Sequence, residues 1–461
     1  MVTHQPLELW FQVRILAGLL YWNKKKQRQD LSRMKELQTI ILAAGKGTRM
    51  KSAVPKVLHQ VCGKPLVHYV LDLARRLGSS KINLILGHQS ALIRAAVGRD
   101  TRLRIVIQKK LLGTADAVKS AAGLLRRCKG DVLILSGDAI LLRQKTLKNL
   151  IQKHRQSQSA LTFLTTVTQQ PQGYGRIIRG FGGKAVAVRE EKDATDYEKN
   201  IMEVNVGVYC FQASVLLDAV KQIKLNPKKK EYYLTDIVGI LADQKRKIET
   251  LETEDPTEGL GINTRVDLAQ AEAVIRQRIL KEFMLKGVTI LDPRTTMIAH
   301  DVTIGPDTVI HPFTVIENNV RIGPACRIGP FARLRPGTRL AREVELGNFV
   351  EVSRTQMGKQ TVMKHFSFLG DARIGTRVNI GAGAVTANYD GKEKNISRIA
   401  DQAFIGSDSI LVAPVKIGKA AVTGAGSVVT KGQSVPAGRT AVGVPARIRD
   451  PKPQKARVNR K

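Results

Sequence analysis

The sequence predicts two domains of different class, a doubly wound α/β domain followed by a parallel β-helix of hexapeptide repeats. Three observations carry this expectation. Between Leu37 and Val266, apolar β-rich runs alternate with stretches of helical periodicity, the pattern of a mostly parallel sheet covered by helices. Further on, Ile298, Ile304, Ile310, Ile316, Ile322, Ile328 and Leu334 recur every six residues, with Gly305, Gly323 and Gly329 directly after the apolar position. The same register resumes at Ile405, Leu411, Ile417, Thr423, Val429 and Val435.

In chain order, residues 1–36 fit neither pattern. Leu9 to Trp22 is apolar except for Gln12 and Arg14, and Asn23, Lys24, Lys25 and Lys26 follow. A secretory signal carries its charge before the apolar part, so this segment reads either as a helix lying on an anionic membrane surface or as a disordered extension ahead of Met34. The second reading is preferred. Residues 37–266 form the first domain, with strands expected at Lys81–Leu86, Leu103–Ile107, Asp131–Leu135, Ala160–Val167 and Glu203–Phe211. Helices are expected at Val67–Leu77, Ala115–Arg126 and Lys145–Arg155. Residues 267–287 make a connecting helix ending at Gly287, and residues 288–445 make the solenoid. The stretch 384–403 is too polar for a solenoid core and is expected as an inserted loop, where sites often lie. Residues 446–461 form a basic, Pro-containing tail.

A chain of 461 residues with 43% hydrophobic content can bury two or three cores. Cys62, Cys128, Cys210 and Cys326 are scattered, without metal-ligand spacing, and read as reduced structural thiols of a cytoplasmic protein. No apolar run of about 18 residues appears, so no transmembrane segment is expected. The net charge is +36. Residues 1–36 hold seven Lys/Arg against three Asp/Glu and residues 446–461 seven against one, so 26 of that excess lies between them. Charge spread this widely reads as a general surface bias, and aromatics at 5% do not interleave with it, so no specific nucleic acid partner is expected.

The stretch Leu37–Lys56, LQTIILAAGKGTRMKSAVPK, organises the first domain. A short apolar strand empties into Gly45, Gly47 and Thr48, where backbone amides can approach a phosphate, and Arg49, Lys51 and Lys56 add cations nearby. The phrase is neither a Walker loop nor a dinucleotide fingerprint. Ser136-Gly137-Asp138 ends another expected strand on the same rim, where ligands of such sheets bind. Asp138 is the candidate ligand of a magnesium ion, with Asn263 in LGINTR as the second.

In order, the motifs LAAGKGTRM, PKVLH, LGTADA, SGD, GYGRI, EEKDAT, EVNVGVY, EYYLTDIV and GIN precede the six-residue solenoid. From Leu37 to about Ala446 the chain thereby resembles the bacterial bifunctional N-acetylglucosamine-1-phosphate uridylyltransferase and glucosamine-1-phosphate N-acetyltransferase family. The resemblance implies a Rossmann-like nucleotidyltransferase domain followed by a left-handed parallel β-helix, assembled as a homotrimer, acting on small-molecule substrates to make UDP-N-acetylglucosamine for envelope polymers. It implies Mg2+ as cofactor, with UTP and acetyl-CoA as co-substrates. By motif, Leu42, Ala43, Ala44, Gly45, Arg49 and Lys56 would bind the triphosphate, Arg49 and Lys56 as catalytic cations. Gln108, Gly113 and Thr114 would read uracil. Ser136 and Gly137 would line the same site, and Gly175, Glu190 and Asn205 would hold the amino sugar. Leu111 stands where the family has a second Gln, which removes an amide from base recognition.

For acetyl transfer the resemblance implies His365 as the catalytic base, oriented by Glu351, and Arg335 on the sugar phosphate. Asn379, Asn388, Tyr389 and Lys394 would complete the sugar and CoA pockets, and Ala382, Ser407 and Ala425 would line the CoA groove. Ser353 and Phe368 occupy the places of a phosphate-binding lysine and a tyrosine, and Arg354 or Lys364 are the nearest replacement cations. An alternative therefore stands beside the bifunctional reading: a monofunctional uridylyltransferase whose solenoid only trimerises. A third reading, of another class, is a binding protein that uses its basic surface on nucleic acid or anionic lipid.

Overall fold

The computed structural model describes residues 36–227 and 230–449. The apolar and basic segment Leu9–Lys26 and all of the tail beyond Arg449 lie outside the described residues. The chain divides into two compact units, residues 36–59 with 66–267 and residues 60–65 with 268–449.

The first unit is built on a sheet whose strands follow the apolar runs: β1 (Leu37–Ala43), β2 (Lys81–Leu86), β3 (Leu103–Ile107), β4 (Asp131–Ser136), β5 (Leu161–Val167), β6 (Arg176–Arg179), β7 (Ala185–Arg189), β8 (Glu203–Gln212) and β9 (Ile248–Glu252). The order is β9-β5-β8-β4-β1-β2-β3, with the β6–β7 hairpin joined to β8. β1 through β4 pair in parallel; β1, β2 and β4 are nearly all buried, as strands covered on both faces must be, while the edge strand β3 is half-buried. The sheet is more mixed than the sequence suggests, because β8 runs antiparallel between β4 and β5. Its apolar run looks the same in either direction, and only its partners set its sense.

Helices Leu66–Arg76, Thr114–Leu125 and Gln144–Ser157 fall within two residues of expectation at each end. Ser90–Val97, Ala213–Gln222 and Asp236–Asp243 are further helices that the sequence reading did not assign. Each is short, and its face is completed by tertiary packing rather than by propensity.

A helix over Arg265–Leu285, which starts in the first unit and runs mostly in the second, leads to Gly287, which turns the chain with a φ of 88°. The hairpin Gln60–Val61 and Lys64–Pro65 belongs to this unit: the Cys62 amide donates to Glu272 at 2.7 Å and Asn318 Nδ2 donates to the Gly63 carbonyl at 3.1 Å. Gly63 has a φ of +74°, and a Cβ there would lie 1.9 Å from Asn318 Oδ1, so glycine is required.

The solenoid is a three-sided prism of short strands, in which every third strand stacks in parallel on the same face. The first face starts with Thr289–Ile290 and Val309–Ile310, the second with Met297–Ile298 and Val315–Ile316, and the third with Thr303–Ile304 and Arg321–Ile322. The second residue of each pair points inward, so Ile310, Ile316, Ile328 and Leu334 are essentially inaccessible. Buried residues fill the positions before each pair, and the hydroxyls of Thr308 and Thr338 donate to the next coil, to Gly323 and Val352, both at 3.0 Å.

The six-residue register does not stop between Leu334 and Ile405; it slips. Val352 to Met357 and Leu369 to Ile374 are steps of five, both at the corner between the second and third faces. One missing residue shifts the count, so a fixed period loses the pattern while the coil continues. The inserted loop leaves from that corner too. It is shorter than expected, because Val385–Ala387 and Ser397–Ile399 remain strands and only residues 388–396 depart from the coil.

Because Leu334 is fully buried between stacked coils, Leu334→Ala is expected to cost about 2–5 kcal/mol in urea unfolding. Lys419→Ala on an exposed corner should stay within about 0.5 kcal/mol.

Candidate functional site

Parallel strands deliver their carboxyl ends to one rim, and β1 and β4 are adjacent, so the loop after Ala43 and the loop after Ser136 lie side by side. Gly137 donates its amide to the Leu42 carbonyl at 2.8 Å, and a Cβ there would press on Ala43 and Leu42 at 3.1 Å. Gly45 stands in open space. Gly47 has a φ of +62°, and an added Cβ would meet Lys56 Cβ at 2.7 Å, so the loop closes only around glycine. Lys56 is thereby pressed against the loop.

The charges converge there. Lys56 Nζ pairs with Asp138 and donates to Asn263 Oδ1 at 3.0 Å, while Arg49 Nη2 donates to the same oxygen at 2.9 Å. Ser136 Oγ donates to Asp138 Oδ1. Asp267 accepts the Asn263 and Thr264 amides, both at 2.8 Å, and so fixes the loop that carries Asn263. Asp138 and Asn263 offer two hard oxygens to one cation, a donor set suited to magnesium, which takes few ligands from protein. Among the described residues no group of three His, Cys, Asp or Glu forms a metal cluster.

Gln108 follows β3 on the same rim and is buried, its amide donating to Asp116 Oδ2 at 2.7 Å and to the Gly113 carbonyl at 3.1 Å. Gly113 has a φ of +100° and Thr114 begins a helix, its hydroxyl accepting the Leu234 amide at 3.0 Å. Leu111 packs on Gly87, where a Cβ would lie 2.5 Å from Leu111 Cδ2. The apolar side chain at this departure closes on the strand end.

Asn205 lies four residues before Tyr209, which pairs with Ile134, so the antiparallel β8 carries it past the carboxyl end of β4. Its amide donates to Tyr209 Oη at 2.7 Å, and its backbone amide donates to the Gly175 carbonyl at 2.8 Å. Glu190 accepts from Thr235 Oγ1 at 2.8 Å. Burial, with Asp236, Asp193 and Glu231 nearby, pushes the Glu190 carboxyl above its usual range. Thr235 lies in the EYYLTDIV motif, and its role in holding Glu190 is visible only in the fold. Arg176 is buried against Glu191 at 2.7 Å and braces this hairpin.

In the second unit the stacking register aligns residues that the sequence separates. Val362 pairs with Asn379, Asn379 with Phe404 and Phe404 with Val422. Three positions further along each coil, His365, Ala382, Ser407 and Ala425 therefore form one column at the corner between the first and second faces. Beside it Phe313, Phe331 and Phe349 stack with ring centroids 4.8 and 4.9 Å apart, all exposed, and Phe366 continues the column. Phe368 faces outward on the second face between Glu351 and Val385, and Asn379 faces outward on the first.

The orienting contact expected from Glu351 to His365 is not made. Glu351 accepts from Arg335 Nη1 at 2.8 Å and lies 3.9 Å from Arg333, while His365 is exposed. Ser353 is fully buried and accepts from Arg354 Nη1 at 2.9 Å. Arg354 grips Asp371 with two further bonds at 2.6 and 2.8 Å, and Asn388 also donates to Asp371. Burial raises the Asp371 carboxyl, but the bonds from Arg354 and Asn388 outweigh it and hold the group below its usual range. Lys364 pairs with Glu345 at 3.1 Å. Both expected replacement cations are thus engaged within the solenoid. Tyr389 and Lys394 are exposed on the inserted loop.

The nucleotidyl transferase family pattern matches residues 38–255. Relatives named bifunctional protein GlmU match most of the chain. That of Halalkalibacterium halodurans is 40% identical over 425 residues, 85% of this chain and 93% of the relative. That of Geobacter sulfurreducens is 40% identical over 460 residues, 89% of this chain and 96% of the relative. That of Bacillus subtilis is 41% identical over 425 residues, 85% of this chain and 93% of the relative. The chain belongs to the GlmU family of bifunctional enzymes, which join a uridylyltransferase to an acetyltransferase.

Proposed function

We propose that the two units divide two consecutive reactions of UDP-N-acetylglucosamine synthesis. The solenoid transfers the acetyl group of acetyl-CoA to glucosamine-1-phosphate, and the α/β unit then transfers uridylyl from UTP to the resulting N-acetylglucosamine-1-phosphate. The observation that carries the first-unit assignment is the convergence of Arg49, Lys56, Asp138 and Asn263 beside the glycine loop. There the amides of Leu42 to Gly45 cradle the triphosphate, and Arg49 and Lys56 neutralise the charge that develops as the sugar phosphate attacks the α-phosphorus in line and pyrophosphate leaves. Asp138 and Asn263 would hold Mg2+, which would supply positive charge against the phosphates when bound. Gln108, Gly113 and Thr114 face the base; Gly175, Glu190 and Asn205 face the sugar.

In the solenoid, His365 removes a proton from the attacking amine, with Ala382, Ser407 and Ala425 forming the wall for CoA on the successive coils. Arg335 takes the acceptor phosphate; Asn379, Asn388, Tyr389 and Lys394 complete the pockets. The exposed phenylalanine column beside His365 supports assembly as a homotrimer, which would cover it. Free, buried thiols at all four cysteines support a reducing, cytoplasmic compartment.

Asp138→Asn is expected to lower uridylyl-transfer kcat by roughly 100-fold or more and leave acetyl transfer intact. His365→Ala should do the reverse, by about 100- to 10,000-fold. Pyrophosphate release and free CoA measured on one preparation read both. Loss of both activities from either change would contradict the division.

Burial favours the neutral carboxyl of Glu190, so its ionisation costs stability as the pH rises through its elevated pKa. Glu190→Gln is therefore expected to keep or raise the Tm at neutral pH, with the gain vanishing in acid, while the KM for N-acetylglucosamine-1-phosphate rises. Parallel thermal melts and kinetics across pH check it.

Phe368→Tyr adds a hydroxyl to the outward second face. The KM for glucosamine-1-phosphate should fall about fivefold, the value of one hydrogen bond of about 1 kcal/mol, with the KM for acetyl-CoA unchanged.

A further inference from the structure

The outward positions of the third solenoid face carry an uncompensated ladder of cations. Arg321 pairs in register with Arg339, Arg373 with Arg398, and Arg398 with Lys416, and only Gln356 interrupts the column. Strands stack about 4.8 Å apart, so the five cations span five steps, or roughly 24 Å. Arg321, Arg398 and Lys416 are exposed, and Arg339 and Arg373 half-buried. Among the described residues none of the five pairs with a carboxylate; Arg373 donates only to the carbonyls of Arg354 and Ala372.

The other two faces are arranged differently. On the second, Arg333 is paired with Glu317 at 2.7 Å and Arg335 with Glu351; on the first, Arg327 is in register with Glu345, which also holds Lys364. Like charges opposite one another on adjacent strands repel, so the third-face column works against the stack that carries it. An open depression of about 450 Å³ lies in the same face, with Arg373, Arg398 and Lys416 in its lining.

We infer that this face binds a linear polyphosphate chain, a charge-dense polymer without bases. A single file of cations matches a single file of phosphates. No aromatic side chain stands in the column to stack a nucleobase. A narrow chain can follow the file along the stacking direction, and the corner beside it carries charges of both signs, with Arg342, Lys359, Arg377 and Lys419 among Asp307, Glu343 and Asp401. A second copy of this chain would oppose the column with its own cations. The face also lies across the prism from the corner that carries His365 and the phenylalanines, so neither proposed reaction uses it.

The test is anisotropy of end-labelled inorganic polyphosphate with the full chain, over a series of salt concentrations. Replacing the exposed Arg321, Arg398 and Lys416 with Gln is compared with a matched Lys221→Gln, Lys245→Gln, Arg294→Gln triple of residues that are not part of the column. The first triple should weaken binding about tenfold or more and reduce the slope of log affinity against log salt by about two. The second should change affinity by less than about threefold, and both triples should retain uridylyl and acetyl transfer. Equal losses in the two triples would overturn the assignment, since binding would then follow net charge. Tighter binding of a single-stranded oligonucleotide or of anionic vesicles through the same three residues would also overturn it.

Discussion

The in-register stacking of one coil on the next is the constraint on which the second unit depends. Each coil buries its inward residues only against its neighbours, so backbone pairing and side-chain columns are a single property. That stacking places His365 above Ala382, Ser407 and Ala425, aligns the exposed phenylalanines, and collects the third-face cations into one file. It also requires a turn at every corner. Asp307, Ala325, Glu343, Gln360, Arg377, Gln402 and Ala420 take left-handed backbone at equivalent positions, at a cost of about 1 kcal/mol each. The buried columns between them offset that cost.

Beyond the first coil, where Ile290 to Ile298 is a step of eight, the three departures from the regular coil fall on the corner between the second and third faces: two steps shortened by one residue and the inserted loop. The bonds of Arg354, Ser353, Asp371 and Asn388 sit at that corner and tie three successive coils together. A lysine in place of Ser353 would displace this arrangement. The chain thus uses the cation at Arg354 to close the corner.

The first unit solves a different problem, holding like-charged groups together before any substrate arrives. Arg49 and Lys56 are kept close by sharing Asn263 Oδ1, and Asp138 balances Lys56. In the proposed reaction, triphosphate binding would exchange these contacts for phosphate oxygens with the cations already positioned. Leu111 shows the same economy further along that rim: it seals against Gly87, and Gln108 is left with Asp116 and Gly113 as its partners.

Periodicity alone determined the two fold classes and the bounds of the expected helices and strands to within about two residues, because alternating burial and a six-residue repeat are local consequences of strand and coil geometry. The glycine loop and the strand-end Asp138 were legible for the same reason. Tertiary structure decided what distance in sequence conceals. The direction of β8 depends on its partners, the coils between Leu334 and Ile405 depend on one-residue slips that a fixed period cannot follow, and the hold of Thr235 on Glu190 spans 45 positions. The cation file on the third face is of this kind as well. Its successive cations stand 18 to 34 residues apart, and only the stacking of coils brings them into one column.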